Sequence, residues 1–465
     1  MKVEQTISGV KSPTVYIKTL GCKVNSFDSH AIANQFERRG YNLVEDVASA
    51  DIAVINSCSV TENADKEARY LARRYRRDRP DTFLVVTGCY AQTNSATLDA
   101  IQDIDFIVPN EAKANLVPLV EESFAAAALQ QPYVKIAAGL KPVTDNRQQH
   151  FKSSLTLFDH AESAERSRVF VKIQDGCNGF CTYCLIPYAR GQSRSVETQL
   201  VLDEVSRLML DGVPEIVLTG IHIGDYGEDQ SVENKISLLG LLQKFEDFAG
   251  STRFRISSLE PGEVSEDLIR FMFRESRRYC EHFHLPLQSG NDDILKKMRR
   301  QYSRQEYSET LSMISSYVPD VSLGADVICG FPGETDEQFV DTLDFIKKCR
   351  LSYLHVFPYS KRPNTAAAKF ADHLPVEVVQ ERRKVLQALS KELAQTFARN
   401  FLARKVEIVW NLGLDLDGRR TGVSREYLQV KSQVNLDENL QKEKTSKMIV
   451  AGFIDESHLL VRPNL

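Results

Sequence analysis

No stretch of this chain stays apolar for long. The longest such runs, Phe124 to Leu129 and Ile236 to Leu242, fall far short of the roughly 18 residues a membrane-spanning helix needs, which excludes a helical span. The opening residues, MKVEQTISGVKSP, lack the apolar core and small-residue cleavage site of a secretory signal, so the expectation is a cytoplasmic protein with no membrane partner. An excess of basic charge is missing too. The 58 lysines and arginines face 63 acids, and the net charge of −5 gives no global hint of nucleic acid. Internal repeats are absent. Nine cysteines, an odd number without secretory features, argue against a disulfide scaffold and leave metal binding, redox chemistry or buried packing.

At 465 residues the chain is long enough for about three domains. The N-terminal part alternates strand-like runs (Thr14 to Leu20, Ile52 to Asn56, Phe83 to Thr87, Phe106 to Val108) with helical spacing at Ser26 to Arg39 and Glu62 to Arg79. That alternation predicts an α/β layer on a parallel sheet, placed at 12–125. Periodicity dissolves after about Phe124, so 126–165 reads as a linker with at most one short strand. A second β/α series begins at Val169. Its six candidate strands (Val169 to Ile173, Glu215 to Thr219, Arg253 to Ser257, Glu281 to His284, Ser322 to Ile328 and Tyr353 to Phe357) predict a partial β/α barrel over 166–402, with chemistry at the C-terminal strand ends. A long amphipathic helix, Pro375 to about Phe401, closes it. The runs Val406 to Trp410, Tyr427 to Val430, Lys447 to Ile454 and Leu459 to Val461 then predict a small β-barrel at 403–465.

Cys177, Cys181 and Cys184 form CNGFCTYC, a C-x3-C-x2-C spacing in a loop directly after a strand. Three such thiolates can hold three irons of a 4Fe-4S cube and leave the fourth iron open. A zinc knuckle is the alternative, although the segment offers no fourth Cys or His. Cys22, Cys58 and Cys89 are far apart in sequence, yet each follows a candidate strand, and equivalent ends of parallel strands converge on one sheet edge. They are either a second cluster site or buried structural cysteines. Cys280, Cys329 and Cys349 have no ligand spacing and read as packing residues.

The C-x3-C-x2-C loop resembles the radical SAM superfamily, and Tyr183 matches the aromatic usual before the third cysteine. Over nearly its whole length the chain resembles the radical SAM methylthiotransferases, through KTLGCKVNSFDS, NSCSVTENADKEAR, TGCYAQ, DGCNGFCTYCLIPYARG, HLPLQSGND and DVICGFPGET in family order. The resemblance implies two 4Fe-4S clusters. One, on Cys177, Cys181 and Cys184, binds S-adenosylmethionine and generates the radical; an auxiliary one, on Cys22, Cys58 and Cys89, carries the sulfur. It also implies a C-terminal TRAM-like RNA-binding barrel, a tRNA substrate and a reductant of flavodoxin or ferredoxin type, and leaves the sulfur donor unidentified. TLGCKVN is similar to the subgroup that converts N6-threonylcarbamoyladenosine, at position 37 beside the anticodon, to its 2-methylthio form. Alternatives are the subgroups acting on isopentenyladenosine in tRNA or on a ribosomal-protein aspartate, and outside the family a non-enzymatic zinc-containing RNA-binding protein. Gly179 and Arg299 depart from the family pattern, each standing where an Asn-like residue is usual.

Several residues carry two readings. Thr219 and Gly220, in LTGIHIGDYG, either contact S-adenosylmethionine or make a strand-to-helix turn. Ser257 and Glu260 either meet its ribose or carboxylate or cap the next helix. Gln288 with Ser289, and Gly330 with Pro332, either wall the adenine or form barrel turns. His222 and His355 read as isolated structural histidines. Arg69, Arg73, Arg76 and Arg77, with Tyr70, form a helix stripe that either grips tRNA phosphates or is simply solvated. In the tail, Arg419, Arg420 and Arg425 surround a predicted turn and support RNA binding against a plain packing barrel.

Overall fold

The computed structural model describes residues 12–137, 167–231, 235–433 and 443–463. They divide into two compact units, the first holding 12–137 with Leu185–Gln192 and the second the remainder.

In the first unit the strands β1 (Thr14–Thr19), β2 (Asn42–Leu43), β3 (Ile52–Ser57), β4 (Phe83–Gly88) and β5 (Phe106–Pro109) form one sheet in the order β2-β1-β3-β4-β5. Every pairing is parallel. A parallel sheet buried on both faces needs nearly continuous apolar runs, which IAVI and FLVV supply. Alternation then divides them: Ile52, Val54 and Val85 join the core beside helix α1 (Lys23–Arg38), while Ala53, Ile55, Leu84 and Val86 join the core beside α2 (Glu62–Asp78). In this 2-1-3-4-5 order the direction of winding reverses between β1 and β3, the crevice where doubly wound sheets bind ligands. The expected fold class for this part is what forms.

The helical region before the expected linker runs further than periodicity suggested. The helix Leu116–Ala128 continues through four successive alanines, the strongest helix formers, and the chain then makes a single parallel bridge from Ile136 to Ile107. Residues 138–165 of that expected linker lie outside the described residues.

The second unit contains six parallel strands in chain order. Arg168–Lys172, Glu215–Thr219 and Arg253–Ile256 make one sheet; His282–His284, Ser322–Cys329 and Tyr353–Pro358 make another. A bridge from Ser258 to His284 joins them into the expected partial barrel. The sixth of these strands, Tyr353–Pro358, is covered by the long helix Val376–Arg399, whose Ser390 hydroxyl bonds both backbone groups of Leu354. Lys405–Trp410, Thr421–Ser424, Gln429–Ser432, Leu459–Arg462 and Thr445–Phe453 then close a small barrel in that spatial order. Trp410, Val406, Met448 and Val461 fill it, with Phe401 entering from the helix end. Two tail expectations are corrected. Thr421–Ser424 is an additional strand, and the run at Tyr427 starts two residues later, because Tyr427 has φ 66° and closes a tight turn onto Ser424.

The small barrel docks through buried charge. Glu215, fully buried, accepts from Arg168 Nε (2.9 Å), Arg253 Nε (2.7 Å) and Arg255 Nε (2.9 Å). The two inner guanidiniums reach on to the carbonyls of Val423 (2.9 Å) and Ser424 (2.9 Å). Arg168, Glu215 and Arg253 begin their strands, so the small barrel caps the N-terminal end of the partial barrel and leaves its C-terminal end to chemistry. Arg425 is spent on this joint, pairing with Glu281 at 2.8 Å. Arg419 donates to the Ser432 carbonyl and Arg420 is buried over the Trp410 ring. All three tail arginines therefore face protein rather than forming an RNA-gripping turn.

Candidate functional site

In the second unit the cysteine loop is fixed by Gln174, which precedes the motif, and by Thr182 within it. Gln174, fully buried, is its hub. Its Nε2 donates toward the carbonyls of Asp175 (3.1 Å) and Gly176 (2.8 Å) and the Ser193 hydroxyl (2.9 Å), at the base of the loop. Its Oε1 accepts from the backbone N–H groups of Ile221 (2.9 Å) and His222 (2.8 Å), so one side chain ties the cysteine loop to the loop after the second strand. Thr182 anchors the far side, donating to the Lys297 carbonyl at 2.8 Å.

Gly179 lies between two of the sulfurs. A Cβ on Gly179 would lie 3.3 Å from Cys177 Sγ and 3.8 Å from Cys181 Sγ, so glycine leaves a cradle that the usual larger residue would narrow. Cys177 Sγ accepts from the Gly179 N–H at 3.3 Å and lies 3.6 Å from His222 Nδ1. Cys181 Sγ accepts from Arg300 Nη1 at 3.3 Å, and Arg300 is held by an ion pair with Glu260 and by the Tyr302 hydroxyl at 3.1 Å. Arg300 thus sets a fixed guanidinium charge beside the Cys181 sulfur. His222 is not isolated, since Glu263 lies against its Nε2. Burial alone would lower this imidazole, but the Cys177 thiol and Glu263 outweigh it and push it up to about 11.

Ser257 is buried, and its Oγ has no hydrogen-bond partner among the described residues, an orphan that a ligand would satisfy. Glu260 joins Arg300 and also takes part in the following turn, where Glu263 Oε2 accepts its N–H at 2.8 Å. Thr219 is buried at the end of its strand. Gly220 is accounted for by packing, because a Cβ would come within 2.5 Å of Ile223 and 3.0 Å of Gln174. The same holds for Gly330, where a Cβ would meet Val379 at 2.5 Å and whose N–H is donated to Glu334 at 2.9 Å. Gln288 sits at φ 63° with its backbone paired to Asp326 and Ile328 of strand five. Arg299 adopts φ 60° at a helix end, a left-handed position that Asn tolerates better than other residues with a side chain, which accounts for the expected Asn.

In the first unit Cys22, Cys58 and Cys89 follow the adjacent strands β1, β3 and β4. Two glycines make the turns: Gly21 at φ 95° and Gly88 at φ 96° hold conformations that disfavour side chains, and a Cβ on Gly21 would lie 2.7 Å from Cys58 Sγ. Cys22 is the N-cap of α1 and Cys89 accepts from Asn110 Nδ2 at 3.7 Å. Burial, then the Cys89 thiol, pushes Cys58 up to about 12, with Cys22 adding to the rise and Arg190 opposing it. Beneath these thiols lies a buried polar network that takes Asn25, Asp28, Asn56 and Arg190 from the cysteine-bearing motifs and Lys113 from outside them. Asn25 donates to the carbonyls of Leu20 (2.7 Å) and Ser57 (3.0 Å), Asn56 donates to the Asn25 carbonyl (2.9 Å), and Lys113 and Arg190 share Asp28 at 3.2 and 3.6 Å. Arg190 in this network lies close enough to Cys58 to oppose the rise of its thiol.

Among the described residues, no three of these sulfurs lie within 4.8 Å of one another. One zinc ion, with Zn–S bonds of about 2.3 Å, needs sulfurs about 3.8 Å apart. Neither cysteine triad is drawn in to the spacing of a single zinc ion. Cys280, Cys329 and Cys349 are buried. His355 is not isolated either, lying 3.3 Å from Asp326, which also accepts from His284 at 2.8 Å. On α2 the arginine stripe is divided. Arg76 binds Asp105 and the carbonyls of Thr82 and Asp103, and Arg69 binds Tyr90, leaving Arg73, Arg77 and Tyr70 exposed.

Residues 14–109 match the Uncharacterized protein family UPF0004, and residues 171–346 match the Radical SAM superfamily. The chain is 38% identical over 396 residues to the threonylcarbamoyladenosine tRNA methylthiotransferase MtaB of Bacillus subtilis, covering 85% of this chain and 84% of that protein. It is 38% identical over 383 residues to the MtaB of Aquifex aeolicus, covering 82% and 89%. To the tRNA-2-methylthio-N(6)-dimethylallyladenosine synthase of Thermoanaerobacter pseudethanolicus it is 32% identical over 403 residues, covering 85% and 81%. Among solved structures, the radical S-adenosylmethionine methyltransferase TsrM from Kitasatospora setae shares the fold, with TM-score 0.54 at 13% identity, covering 77% of this chain and 74% of that one.

Proposed function

The chain belongs to the radical SAM tRNA methylthiotransferase family, and on that premise we propose that it converts N6-threonylcarbamoyladenosine beside the tRNA anticodon to its 2-methylthio derivative. The observation that carries the substrate is the 38% identity, over 85% of the chain, to an enzyme named for that nucleoside, against 32% for a dimethylallyladenosine relative. The TLGCKVN signature points the same way. Cys177, Cys181 and Cys184 are assigned to a 4Fe-4S cluster that also binds S-adenosylmethionine, and Cys22, Cys58 and Cys89 to a second cluster. When bound, these groups supply the radical that removes hydrogen from the base and the methylthio group that replaces it.

The chain's own residues prepare the sites. Arg300 places positive charge on Cys181 and Gln174 fixes the loop, while the orphan Ser257 hydroxyl offers a hydrogen bond to a polar group of the bound cosubstrate. Thr219, Glu260 and Gln288 remain assigned to the same pocket by their strand-end positions; Gly220 and Gly330 shape it by close packing. Arg190 places positive charge near Cys58 of the other triad. For tRNA, the exposed Arg73, Arg77 and Tyr70 form the proposed contact on α2. A cytoplasmic setting and a flavodoxin- or ferredoxin-type reductant complete the reading. The chain has no helix long and apolar enough to cross a membrane among the described residues.

Mass spectrometry of tRNA nucleosides from cells with and without the gene tests the substrate. Loss of the 2-methylthio form of threonylcarbamoyladenosine alone is expected. Loss of the isopentenyl product instead, or of neither, would overturn the assignment. Anaerobic reconstitution tests the cofactors: about eight irons per chain is expected, and stoichiometric zinc without iron would refute it.

A further inference from the structure

We propose that His284, Asp326 and His355 form a site for one divalent transition-metal ion, separate from the cysteine triads. The three residues stand on adjacent parallel strands, with Asp326 directly in register with His355. Their ligand atoms all lie within 4.8 Å of one another, with His284 Nε2 2.8 Å and His355 Nδ1 3.3 Å from Asp326 Oδ1. Two imidazoles and a carboxylate are the donor set of first-row cations such as Zn2+, Co2+ and Fe2+.

Two further features suit a metal better than a bare hydrogen-bonded trio. The first is an outer hydrogen bond. The Tyr353 hydroxyl lies 3.2 Å from His284 Nδ1 and 2.8 Å from His282 Nε2, so it orients the His284 ring with Nε2 toward the carboxylate, as the second neighbours of ligating histidines do. The second is charge. Among the described residues Asp326 forms no ion pair with any lysine or arginine, and a largely buried carboxylate needs a cation. Burial also falls across the trio. The His284 side chain is 8% exposed, Asp326 24% and His355 53%. His355 and Tyr353 line a cavity of about 230 Å³ together with Ser322, Gln395, Tyr427 and His458. Of the three proposed ligands His355 alone lines that cavity, and three protein donors leave coordination positions unfilled, the arrangement of a ligand-binding rather than a closed structural site.

The test uses holoenzyme carrying its iron–sulfur clusters, dialysed anaerobically against Zn2+ and then against metal-free buffer. Zinc and iron are measured by mass spectrometry for wild type, His355→Ala and Asp326→Asn. One zinc per chain in wild type, lost in both variants with iron unchanged, is expected; unchanged iron also reports that the variants fold. Equal zinc in all three proteins, or none in wild type, would overturn the site. Co2+ loading gives a second readout. A high-spin signal with nitrogen and oxygen ligation that disappears in His355→Ala supports the site, and sulfur-to-cobalt charge transfer assigns the ion to cysteines and refutes it.

Discussion

Gln174→Glu changes one atom of the hub beneath the Cys177 loop and separates its two tasks. The retained Oε1 still accepts from the Ile221 and His222 N–H groups, but the amide that donates to the Asp175 and Gly176 carbonyls becomes an oxygen. Leaving two buried carbonyls unpaired costs about 1–3 kcal/mol each. Even the low end, about 2 kcal/mol, is roughly 30-fold in the equilibrium between ordered and disordered loop. The variant has one escape, which is to bind a proton and donate it to one carbonyl. Burial and facing carbonyls disfavour the carboxylate, so the folded pKa of this Glu lies above its unfolded value of about 4.3. Stability from the protonated form is then fully present below that value and lost as pH rises through the folded pKa. Retained iron and 5′-deoxyadenosine production should therefore be depressed at pH 8 and partly recover at pH 6.5, relative to wild type at each pH. Gln174→Leu, which loses both tasks, should be as impaired and show no recovery. Wild-type iron content and cleavage in Gln174→Glu at both pH values would refute the hub.

Other outcomes test neighbouring claims. Cys181→Ala should abolish S-adenosylmethionine cleavage, and retained 5′-deoxyadenosine would remove that cysteine from the radical-generating site. Cys58→Ala should leave cleavage intact while ending methylthiolation; unchanged methylthiolated nucleoside would count against its role. Glu215→Gln should lower stability by about 3–5 kcal/mol in denaturant unfolding, because buried guanidiniums lose their charge partner. Burial alone would raise this carboxyl, but the three arginines hold it well below the usual range, so its contribution is present above about pH 4.3 and the deficit should not vary between pH 6 and 8. Arg73→Ala with Arg77→Ala should weaken tRNA binding and flatten its salt dependence, with no loss of stability; unchanged binding would take α2 out of the footprint.

Much of the fold was legible because its elements obey one periodicity each. Runs such as IAVIN and FLVVT have no reading other than buried parallel strands, and the arrival of a cysteine at the end of three of them follows from sheet topology. The strand Thr421–Ser424 was not legible. A four-residue strand containing glycine has no periodicity to detect; its place comes from pairing with Ile408 to Trp410 and Thr421 to Val423 with Gln429 to Lys431. The same limit explains the arginines. Helical spacing groups Arg69, Arg73, Arg76 and Arg77 on one face, but only the tertiary structure brings Asp105 to Arg76 and Tyr90 to Arg69.

The site divides along the same line. Ligand spacing is a local property and reads directly in CNGFCTYC, whereas the residues that tune those thiols come from far along the chain. Arg300 lies 119 residues from Cys181, and Arg190 lies 165 residues from the Asn25 it binds. Arg300 belongs to none of the quoted motifs, and Arg190, although it stands in DGCNGFCTYCLIPYARG, shows nothing there of its reach to Asn25 and Cys58. The one usable signal was composition against expected burial. Gln174, in VFVKIQDG, is a polar residue at the end of an apolar strand, and Asn25 and Asn56 are amides beside cysteines; each would be costly to bury without several partners. Polar residues placed where a strand should be apolar are thus the sequence feature that marks support for a site, and here they point to the loops that the cysteines occupy.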